Sequence, residues 1–397
     1  MIGYEFAQNH QVSSGCFKPR YRFSLNASIW GMEYRLVCTK CGKEEGDSAF
    51  RCSRCGSILE VVYPDSKIKP YRFRKSNKLS DFIDFLPLKE VSISLNEGGT
   101  PVKKADLDGV DTEIYLKLET DNPTKTFKDR GSAVEVSKAL EIGTRGICCA
   151  STGNMGLSVA RYSKHAGIDC TIFISGNANE KKIAKIEKEG AELIKVRGDF
   201  NNALRSAELF AKKEGVFVCG DYHFRKEGQK TVAYEIIKQL VRKMPDFVFV
   251  PVGNATLLSA MYKGFKEFKK MGLVKELPKL IAVQSEKCDP LVNAYAHHRA
   301  IRYVVPKTEA DAIAVGYPTF GFEALNALRA TKGQAIAVSE NEIADAVRLL
   351  ESYKVYAELG GGTAFAGLRR FANASGGRLS GKRAVVIITG NNEGRFR

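Results

Sequence analysis

The segment from Gly146 to Cys219 alternates short apolar runs with longer amphipathic ones, and this rhythm limits the folds open to the chain. The apolar runs are 146–150, 169–175, 192–196 and 216–219, with helical periodicity between them. A repeated strand–helix–strand unit crosses over with one hand, which builds a parallel sheet with helices packed on it. The segment therefore predicts an α/β lobe around an open parallel sheet.

A second series of the same kind begins near Gln229, with strand-like runs at 247–252, 280–284 and 383–388. We therefore expect two α/β lobes, with the ligand in the cleft outside the carboxyl ends of the strands.

No G-x-G-x-x-G follows a strand, and the G-Q-K-T at 228–231 lacks the spacing of a phosphate-binding P-loop. These features disfavour a nicotinamide or ATP enzyme.

The chain has 397 residues and a formal net charge of +16, with 44% hydrophobic and 27% charged residues. A basic surface attracts anions. Acidic residues are mixed with the lysines in amphipathic segments such as 180–190 and 262–271, which favours a small anionic partner over nucleic acid. No apolar run approaches the ~20 residues of a membrane span, so we expect no membrane association.

Residues 1–31 differ from the rest of the chain, because they have little periodicity, no helix caps and no apolar core of a secretory signal. Met32 then opens a clean strand-like pattern over 33–38. We expect Met32 to be the natural start, and the preceding stretch to be a mis-assigned start or a disordered arm.

Four of the ten cysteines form two C-x-x-C pairs, Cys38 with Cys41 and Cys52 with Cys55, and each pair is followed by glycine. This spacing predicts a zinc ribbon, in which four thiolates close a tetrahedral structural site. A redox pair and a ribbon that has lost its metal are the alternatives. Other cysteines lie in or beside apolar runs, where free cysteine behaves as a small hydrophobe. Nothing indicates secretion, so we expect a cytoplasmic protein without disulfides.

The segment 121–131 joins a strand-like run, 114–118, to a helix-like run, 132–140. Pro123 and small polar residues make the join a turn. A lysine held at such a junction beside backbone donors is partly desolvated, which lowers the pKa of its amine and makes it nucleophilic. Lys128 is therefore a candidate nucleophile, with a solvated basic turn as the alternative.

The string N-P-T-K-T-F-K-D-R-G at 122–131 resembles the lysine motif of threonine synthases, N-P-T-G-S-F-K-D-R-G. These are pyridoxal phosphate (PLP) enzymes of fold type II, the tryptophan-synthase-β-like fold. The resemblance implies that Lys128 forms the Schiff base with PLP, and Lys125 stands where the family has glycine. Some threonine synthases also carry a comparable N-terminal ribbon followed by L-E-V-V-Y-D, and L-E-V-V-Y occurs here at 59–63.

Three further segments resemble the cofactor loops of that family. The loop 150–156 resembles S-x-G-N, which implies that Asn154 hydrogen-bonds the PLP phenolic oxygen and that Ser151 and Thr152 bind the substrate carboxylate. Ordinary capping of the following helix is the alternative. Thr389, after the last strand-like run, would face the pyridine nitrogen. The segment 251–257 resembles P-V-G-N-A-G-N, and the residues that would bind the PLP phosphate are Gly253, Asn254, Ala255, Thr256 and Leu257.

Two segments concern the substrate. The R-K-E-G-Q-K-T at 225–231 resembles the family's R-x-E-G-Q-K-T, which implies that Arg225 binds the substrate phosphate through its planar fork. Lys125 adds a second cation near Lys128. The Asn-Ser pair that usually precedes the arginine is replaced by Cys219 and Gly220, for which Lys125 or His223 is a candidate replacement. The glycine-rich 358–364 either opens space, forms an anion nest or starts a helix.

The sequence predicts two open parallel-sheet α/β lobes with PLP in the cleft, plus a small four-cysteine zinc ribbon. The expected divisions are an extension over 1–31, a ribbon over 32–66, a large PLP lobe from 67–130 with 229–397, and a smaller lobe over 131–228. The resemblance implies a carbon–oxygen lyase that converts O-phosphohomoserine and water to threonine and phosphate, and a homodimer. The alternatives are a threonine or serine dehydratase-like enzyme, an enzyme for another anionic amino acid such as O-phosphoserine, and a nucleic-acid-binding ribbon protein with an inactive PLP fold.

Overall fold

The computed structural model describes residues 34–64, 76–151, 153–175, 180–240, 244–374 and 379–391. The predicted extension over 1–31, the proposed start at Met32 and the candidate substrate residue Thr152 lie outside these ranges. Within the described ranges, no helix has the length and apolarity needed to cross a membrane.

The described chain begins with an antiparallel sheet of three short strands in the order β2-β1-β3. The strands are β1 Arg35–Cys38, β2 Glu44–Glu45 and β3 Leu59–Val62. The apolar side chains of Leu36 and Val61 are buried in the same cluster as Phe224. The ribbon therefore packs against the body of the protein through an apolar face.

The remaining strands of the described chain are β4 Val102–Ala105, β5 Thr112–Leu118, β6 Gly146–Ala150, β7 Asp169–Ser175, β8 Glu192–Val196, β9 Phe217–Cys219, β10 Phe247–Pro251, β11 Lys279–Ser285, β12 Gln334–Val338 and β13 Lys382–Ile388. The helices are α1 Lys128–Glu141, α2 Asn154–Ala166, α3 Glu180–Glu187, α4 Phe200–Glu214, α5 His223–Gln229, α6 Thr231–Gln239, α7 Thr256–Lys270, α8 Pro290–Ala296, α9 Gly321–Ala330, α10 Glu340–Ser352 and α11 Leu359–Ala374.

These strands form two sheets. Four of them pair in the order β8-β7-β6-β9 and are all parallel. Six pair in the order β12-β11-β10-β13-β5-β4, parallel throughout except for the edge strand β4, which runs antiparallel to β5. The prediction of α/β architecture with parallel sheets is confirmed, while the antiparallel edge was not anticipated. The boundaries between the lobes remain predictions.

The hydrophobic pattern explains why these segments form strands and helices. β6, β10 and most of β13 are buried along their length, as expected for strands covered on both faces by helices. Helix starts are marked by local chemistry: Asp199 and Ser339 each form a reciprocal capping box at the start of α4 and α10.

Strand ends from both sheets line one cavity of about 150 Å³. Ser151 and Asp221 follow β6 and β9 of the four-stranded sheet, and Gly253 and Thr389 follow β10 and β13 of the six-stranded sheet. The carboxyl ends of parallel strands are the usual place for a ligand in open α/β sheets. The cavity therefore lies where the sequence predicted the site to be.

Candidate active site

The turn before Lys128 is locked by a buried acid, Asp129. Its carboxylate accepts hydrogen bonds from the Thr124 backbone N–H at 2.6 Å and from Ser158 Oγ at 2.6 Å. Burial raises the pKa of Asp129 to about 6, although the bonds from Ser158 and Thr124 oppose that rise. The acid thus ties the lysine turn to α2.

The next residue of the motif, Arg130, is a scaffold residue. Its fully buried guanidinium donates from Nε to Glu119 Oε2 at 2.7 Å and from Nη1 to Glu235 Oε1 at 2.5 Å. Lys117 Nζ also donates to Glu235, at 2.6 Å. This ion cluster fastens α1 to β5 and α6, because a planar guanidinium holds two carboxylates in fixed directions.

Lys128 begins α1 and lines the cavity. Its side chain is 17% exposed, and Nζ lies 3.8 Å from Asp221 Oδ1 and 4.8 Å from the centroid of the Phe127 ring. Burial lowers the pKa of Lys128, and the Asp221 carboxylate opposes that effect. This direction agrees with the expectation of a desolvated lysine amine.

An isolated antiparallel bridge brings the end of β13 beside the lysine turn. Thr126 pairs with Gly390, the Phe127 N–H donates to the Thr389 carbonyl at 3.0 Å, and the Asn391 N–H donates to the Lys125 carbonyl at 2.9 Å. Thr389 consequently lies at the cavity wall next to Lys128.

The first turn of α2 supplies a second wall. Asn154 begins the helix, and its Nδ2 donates to Glu358 Oε1 at 2.5 Å. Ser151 Oγ accepts hydrogen bonds from the N–H groups of Gly156 at 2.9 Å and Gly153 at 3.3 Å. Ser151 thus makes the capping contacts of the alternative interpretation while it also lines the cavity.

The loop between β10 and α7 supplies a third wall. Ala255 has a φ of +64°, a left-handed conformation that is uncommon outside glycine, and α7 begins at the next residue. Backbone N–H groups at such a turn converge in a concave nest, and the helix dipole favours an anion there. At Gly253 a Cβ atom would lie 3.1 Å from Ile313 Cα, so a side chain would crowd this loop.

Asp221 was missed from the sequence, yet its side chain lines the cavity. Its Oδ1 accepts from Thr256 Oγ1 at 2.6 Å and its Oδ2 from Asn254 Nδ2 at 2.7 Å. Burial opposes its ionisation, but Lys128 and the hydrogen bond from Thr256 outweigh burial and lower the pKa of Asp221. The available signal was an acid two residues after the strand β9.

Arg225 is fully buried and does not line the cavity. Its guanidinium pairs with Glu135, and it donates from Nε to the Gly220 carbonyl at 2.9 Å and from Nη1 to the Lys128 carbonyl at 3.0 Å. The chain itself therefore supplies the anion that a buried guanidinium needs. The predicted contact of Arg225 with a substrate phosphate stays a prediction.

Lys125, the other candidate substrate cation, is exposed and also lies outside the cavity lining. It has a φ of +64°, which gives a physical reason for the glycine at this place in the family motif. His223 is buried outside the lining, and burial lowers its pKa to about 4. The predicted replacement of the missing Asn-Ser pair by Lys125 or His223 stays a prediction.

The glycine run after Glu358 forms the first turn of α11. Of the three interpretations left open by the sequence, this supports the start of a helix. At Gly361 a Cβ atom would lie 2.5 Å from the Gly390 carbonyl oxygen. The glycine therefore allows α11 to pack against the end of β13.

The four ribbon cysteines form a second site, because their Sγ atoms all lie within 4.8 Å of one another. The Sγ atoms of Cys38 and Cys55 are 3.4 Å apart, and those of Cys41 and Cys52 are 3.5 Å apart. A tetrahedral zinc ion with Zn–S bonds near 2.3 Å needs separations of roughly 3.8 Å. The N–H groups of Lys40 and Cys41 point to Cys38 Sγ, as expected in a metal knuckle. The cluster could hold a metal ion.

The structure therefore gathers most of the predicted site residues at one cavity. The residues that line it are Lys128, Ser151, Asn154, Gly253, Asn254, Ala255, Thr256, Leu257 and Thr389. Glu358 and Asp221 are additional acids in the same lining. A half-buried lysine amine, a nest of N–H groups at a helix N-terminus and polar side chains on the walls form a donor set that fits PLP.

Comparison with known proteins agrees with this donor set. The family described as "Pyridoxal-phosphate dependent enzyme" matches residues 93–390. Among solved structures, the processed form of threonine deaminase isoform 2 from Solanum lycopersicum has a TM-score of 0.64 at 22% identity and covers 75% of this chain and 84% of that one. Maize serine racemase has a TM-score of 0.64 at 22% identity and covers 74% of this chain and 88% of that one. The chain belongs to the family of pyridoxal-phosphate dependent enzymes and has the fold of its type II members.

The curated relatives are more specific. The threonine synthase of Methanocaldococcus jannaschii is 37% identical over 369 residues, which cover 89% of this chain and 90% of the relative. That of Methanosarcina acetivorans is 35% identical over 370 residues, 90% of this chain and 91% of the relative. The resemblance to threonine synthases drawn from the sequence motifs is confirmed.

Proposed function

We propose that this protein is a threonine synthase, which uses PLP to convert O-phosphohomoserine and water into threonine and phosphate. The observation that carries the proposal is Lys128, a half-buried lysine with a lowered pKa at the wall of a cavity formed by strand ends. The similarity to curated threonine synthases over nine tenths of the chain supports the choice of reaction.

The proposed cofactor contacts follow from the walls of the cavity. The loop 253–257, with the left-handed Ala255 and the start of α7, is the proposed seat of the PLP phosphate. Asn154 and Thr389 are proposed to face the two sides of the ring, at its phenolic oxygen and its nitrogen. When bound, PLP supplies an electron sink for negative charge that develops on the substrate carbons.

The chain's own residues would move the protons and orient the substrate. The lowered pKa of Lys128 raises the fraction of neutral amine near neutral pH, so Nζ can accept and return protons once the substrate is bound. Ser151 and the first turn of α2 are proposed to hold the substrate carboxylate, because helix N-termini favour anions. Arg225 and Lys125 remain the proposed phosphate contacts, and Arg225 would have to exchange Glu135 for the substrate.

The four cysteines are proposed to bind one structural zinc ion, because a closed set of thiolates leaves no position for a substrate. The division into a large lobe, 67–130 with 229–397, and a smaller lobe, 131–228, is likewise part of the proposal. A cytoplasmic homodimer without a nucleic-acid partner also stays a prediction.

One observation favours a second function. Among the described residues that line the cavity, Lys128 is the one cation, whereas Asp221, Asp311 and Glu358 are acids. With the PLP phosphate seated at 253–257, such a lining suits an unphosphorylated amino acid better than a second phosphate ester, because like charges repel. A threonine or serine dehydratase-like reaction is therefore the competing candidate.

The deciding experiment offers the purified protein O-phosphohomoserine, O-phosphoserine, threonine and serine in parallel, and follows phosphate, threonine and keto-acid release. Threonine formed from O-phosphohomoserine, and lost on Arg225→Ala substitution, is the expected result. Faster keto-acid release from free threonine or serine than threonine formation from O-phosphohomoserine would establish the dehydratase-like reaction instead.

A further inference from the structure

We propose that Asp221 is a positioning residue of the cofactor site, whose carboxylate holds Lys128 and the loop 253–257 as one unit and sets the charge of the lysine amine. The inference rests on the proposed function only for the identity of the cofactor. Asp221 follows the strand β9, at the same edge of the sheets as the other cavity residues.

Both carboxylate oxygens contact the loop that is proposed to hold the phosphate. Thr256 Oγ1 lies 2.6 Å from Oδ1, and Asn254 Nδ2 lies 2.7 Å from Oδ2. The orientation of the Asn254 amide is set on its other side, because its Oδ1 accepts from Thr319 Oγ1 at 3.1 Å and from the Thr319 N–H at 3.3 Å. The Asn254 amide therefore points its NH₂ group at Asp221. A carboxylate can accept hydrogen bonds at both of its oxygens, whereas the side-chain amide of an asparagine at 221 would have one oxygen that accepts.

The negative charge of Asp221 is available to Lys128. The two hydrogen-bond donors from the loop are neutral, and Oδ1 lies 3.8 Å from Lys128 Nζ. The cation nearest in sequence, Arg225, pairs with Glu135. The side chain of Asp221 is 6% exposed, so bulk water screens this interaction weakly.

The backbone of Asp221 is also fixed from behind. The preceding residue, Gly220, donates its N–H to Glu135 Oε1 at 2.8 Å and accepts at its carbonyl from Arg225 Nε at 2.9 Å. The Arg225–Glu135 pair thus holds the turn that carries Asp221, while Arg225 also donates to the Lys128 carbonyl at 3.0 Å. Arg225 therefore has a structural role in the site, which it fulfils without contact with the substrate.

The charged and titratable groups that act on Lys128 come from four elements. Asp221 lies on the turn after β9, Arg225 on α5, Glu135 on α1 and Cys149 on β6. Arg225 and Glu135 offset each other as a pair, and burial raises the pKa of the Cys149 thiol well above its usual value. Asp221 is therefore the group whose charge most favours the protonated amine. Its removal should lower the pKa of Lys128 further, because a close opposite charge stabilises the protonated form.

The test compares the wild-type protein with Asp221→Asn and with Asp345→Asn. Asp345 is a matched control, because it is 51% exposed and pairs with Arg348 on the surface of α10. PLP is added to cofactor-free protein across a pH series, and the rate at which the absorption band of bound PLP appears is measured. This rate reports the fraction of Lys128 in the neutral form, and its midpoint is the pH at which the rate is half-maximal. In Asp221→Asn the midpoint of this rate should move about 1–3 units to lower pH, with unchanged behaviour in Asp345→Asn.

The same titrations give the affinity for PLP, which should fall about tenfold or more in Asp221→Asn because two donors then face an amide. A residue that merely supports the fold would lower the affinity at every pH without moving the midpoint. A midpoint within about 0.3 unit of the wild-type value would overturn the proposal.

Thr256→Val provides a second variant in case Asp221→Asn does not fold. It removes one donor but leaves the charge, so the affinity for PLP should fall while the midpoint stays at the wild-type pH. A midpoint that moved downward in Thr256→Val would contradict the assignment of the shift to the Asp221 charge. Wild-type protein that binds PLP covalently but forms no threonine would refute the proposed reaction and leave this inference standing.

Discussion

The ribbon and the cavity both hold polar side chains at turns, but they collect those side chains over very different lengths of chain. The four cysteines fall within residues 38–55, whereas the cavity combines Lys128 with Thr389. The spacing of nearby residues is visible in a sequence, while the convergence of distant strand ends depends on the tertiary fold. A metal knuckle can therefore be inferred from a short pattern, and a cofactor cavity needs either the fold or a family motif.

The two regions also differ in what surrounds them. The cysteines lie on two turns of the ribbon, where Cys38 and Cys52 are buried, Cys41 is half-buried and Cys55 is exposed. The cavity rests on buried charges, such as Arg130 between Glu119 and Glu235. We therefore expect substitutions under the cavity to affect folding and chemistry together, and substitutions of the cysteines to affect mainly the ribbon.

The largest effect should follow from Lys128→Ala. The variant should lose covalent PLP and about a thousandfold or more of its turnover, because it lacks both the nucleophile and the proton carrier. It should stay folded, since Lys128 takes no part in the Arg130 cluster. Absorbance, borohydride reduction and circular dichroism are the measurements. Lys213→Ala, which changes a lysine whose side chain is 81% exposed, is the control. A borohydride-reducible adduct at native stoichiometry in Lys128→Ala would show that another lysine binds PLP.

The next effect concerns stability. Arg130→Ala should cost about 3–5 kcal/mol of unfolding free energy, because it leaves the carboxylates of Glu119 and Glu235 buried without their arginine. Urea denaturation measures the loss. Arg348→Ala removes a surface pair with 68% and 51% exposed side chains, and should cost less than about 0.5 kcal/mol. Equal costs in the two variants would show that the buried cluster has no special role under the cavity.

Replacing Cys38 and Cys41 by serine tests whether the ribbon is a separate metal unit. Metal analysis should find about one zinc ion per wild-type chain and none in the double variant, because two of four thiolate ligands are lost. The absorption band of bound PLP should remain. Cys170→Ala, a buried cysteine on β7, should keep the metal. Stoichiometric metal in the double variant would exclude these cysteines as ligands.

The sequence predicted the parallel sheets, several of the helices and nine of the residues that line the cavity, because each depends on a local pattern or a contiguous motif. Asn154 and the loop 253–257 follow their strands within a few residues, and Lys128 follows β5 after the segment 119–127. The edge strand β4 was not predicted, since its four residues, V-K-K-A, lack a clear alternation of buried and exposed positions.

What the sequence could not supply was the pairing of distant charges. Asp221 contacts Asn254 and Thr256 across 33 and 35 residues, and Arg225 contacts Glu135 across 90 residues. A single acid after a strand carries no periodic signal, and nothing local distinguishes an arginine that binds substrate from one that pairs internally. The omission of Asp221 and the open role of Arg225 have this same cause.

The last prediction addresses a polar bridge that joins the ribbon to the turn beside the lysine. Arg51, which precedes the ribbon cysteine Cys52, lies with Nε 2.6 Å from Glu208 Oε1 and with its guanidinium 5.7 Å from the Tyr222 ring centroid. Tyr222 OH also donates to Glu208, at 2.8 Å, and Tyr222 is the neighbour of Asp221 in the chain. The ribbon thus buttresses the turn that carries the acid beside Lys128.

Arg51→Ala should therefore reduce turnover by about two- to fivefold, the effect of a partly buried ion pair worth about 0.5–1 kcal/mol, with full metal content. Arg51→Lys should recover part of this loss, because it keeps the charge but not the planar fork. Arg35→Ala removes the exposed ribbon pair with Glu44 and should leave turnover and the pH midpoint for PLP binding unchanged. If Arg51→Ala moves that midpoint in the same direction as Asp221→Asn, the ribbon acts on the cavity through the Asp221 turn. If Arg51→Ala leaves turnover and the pH midpoint unchanged, as Arg35→Ala should, then the ribbon does not act on the cavity and the two regions function independently.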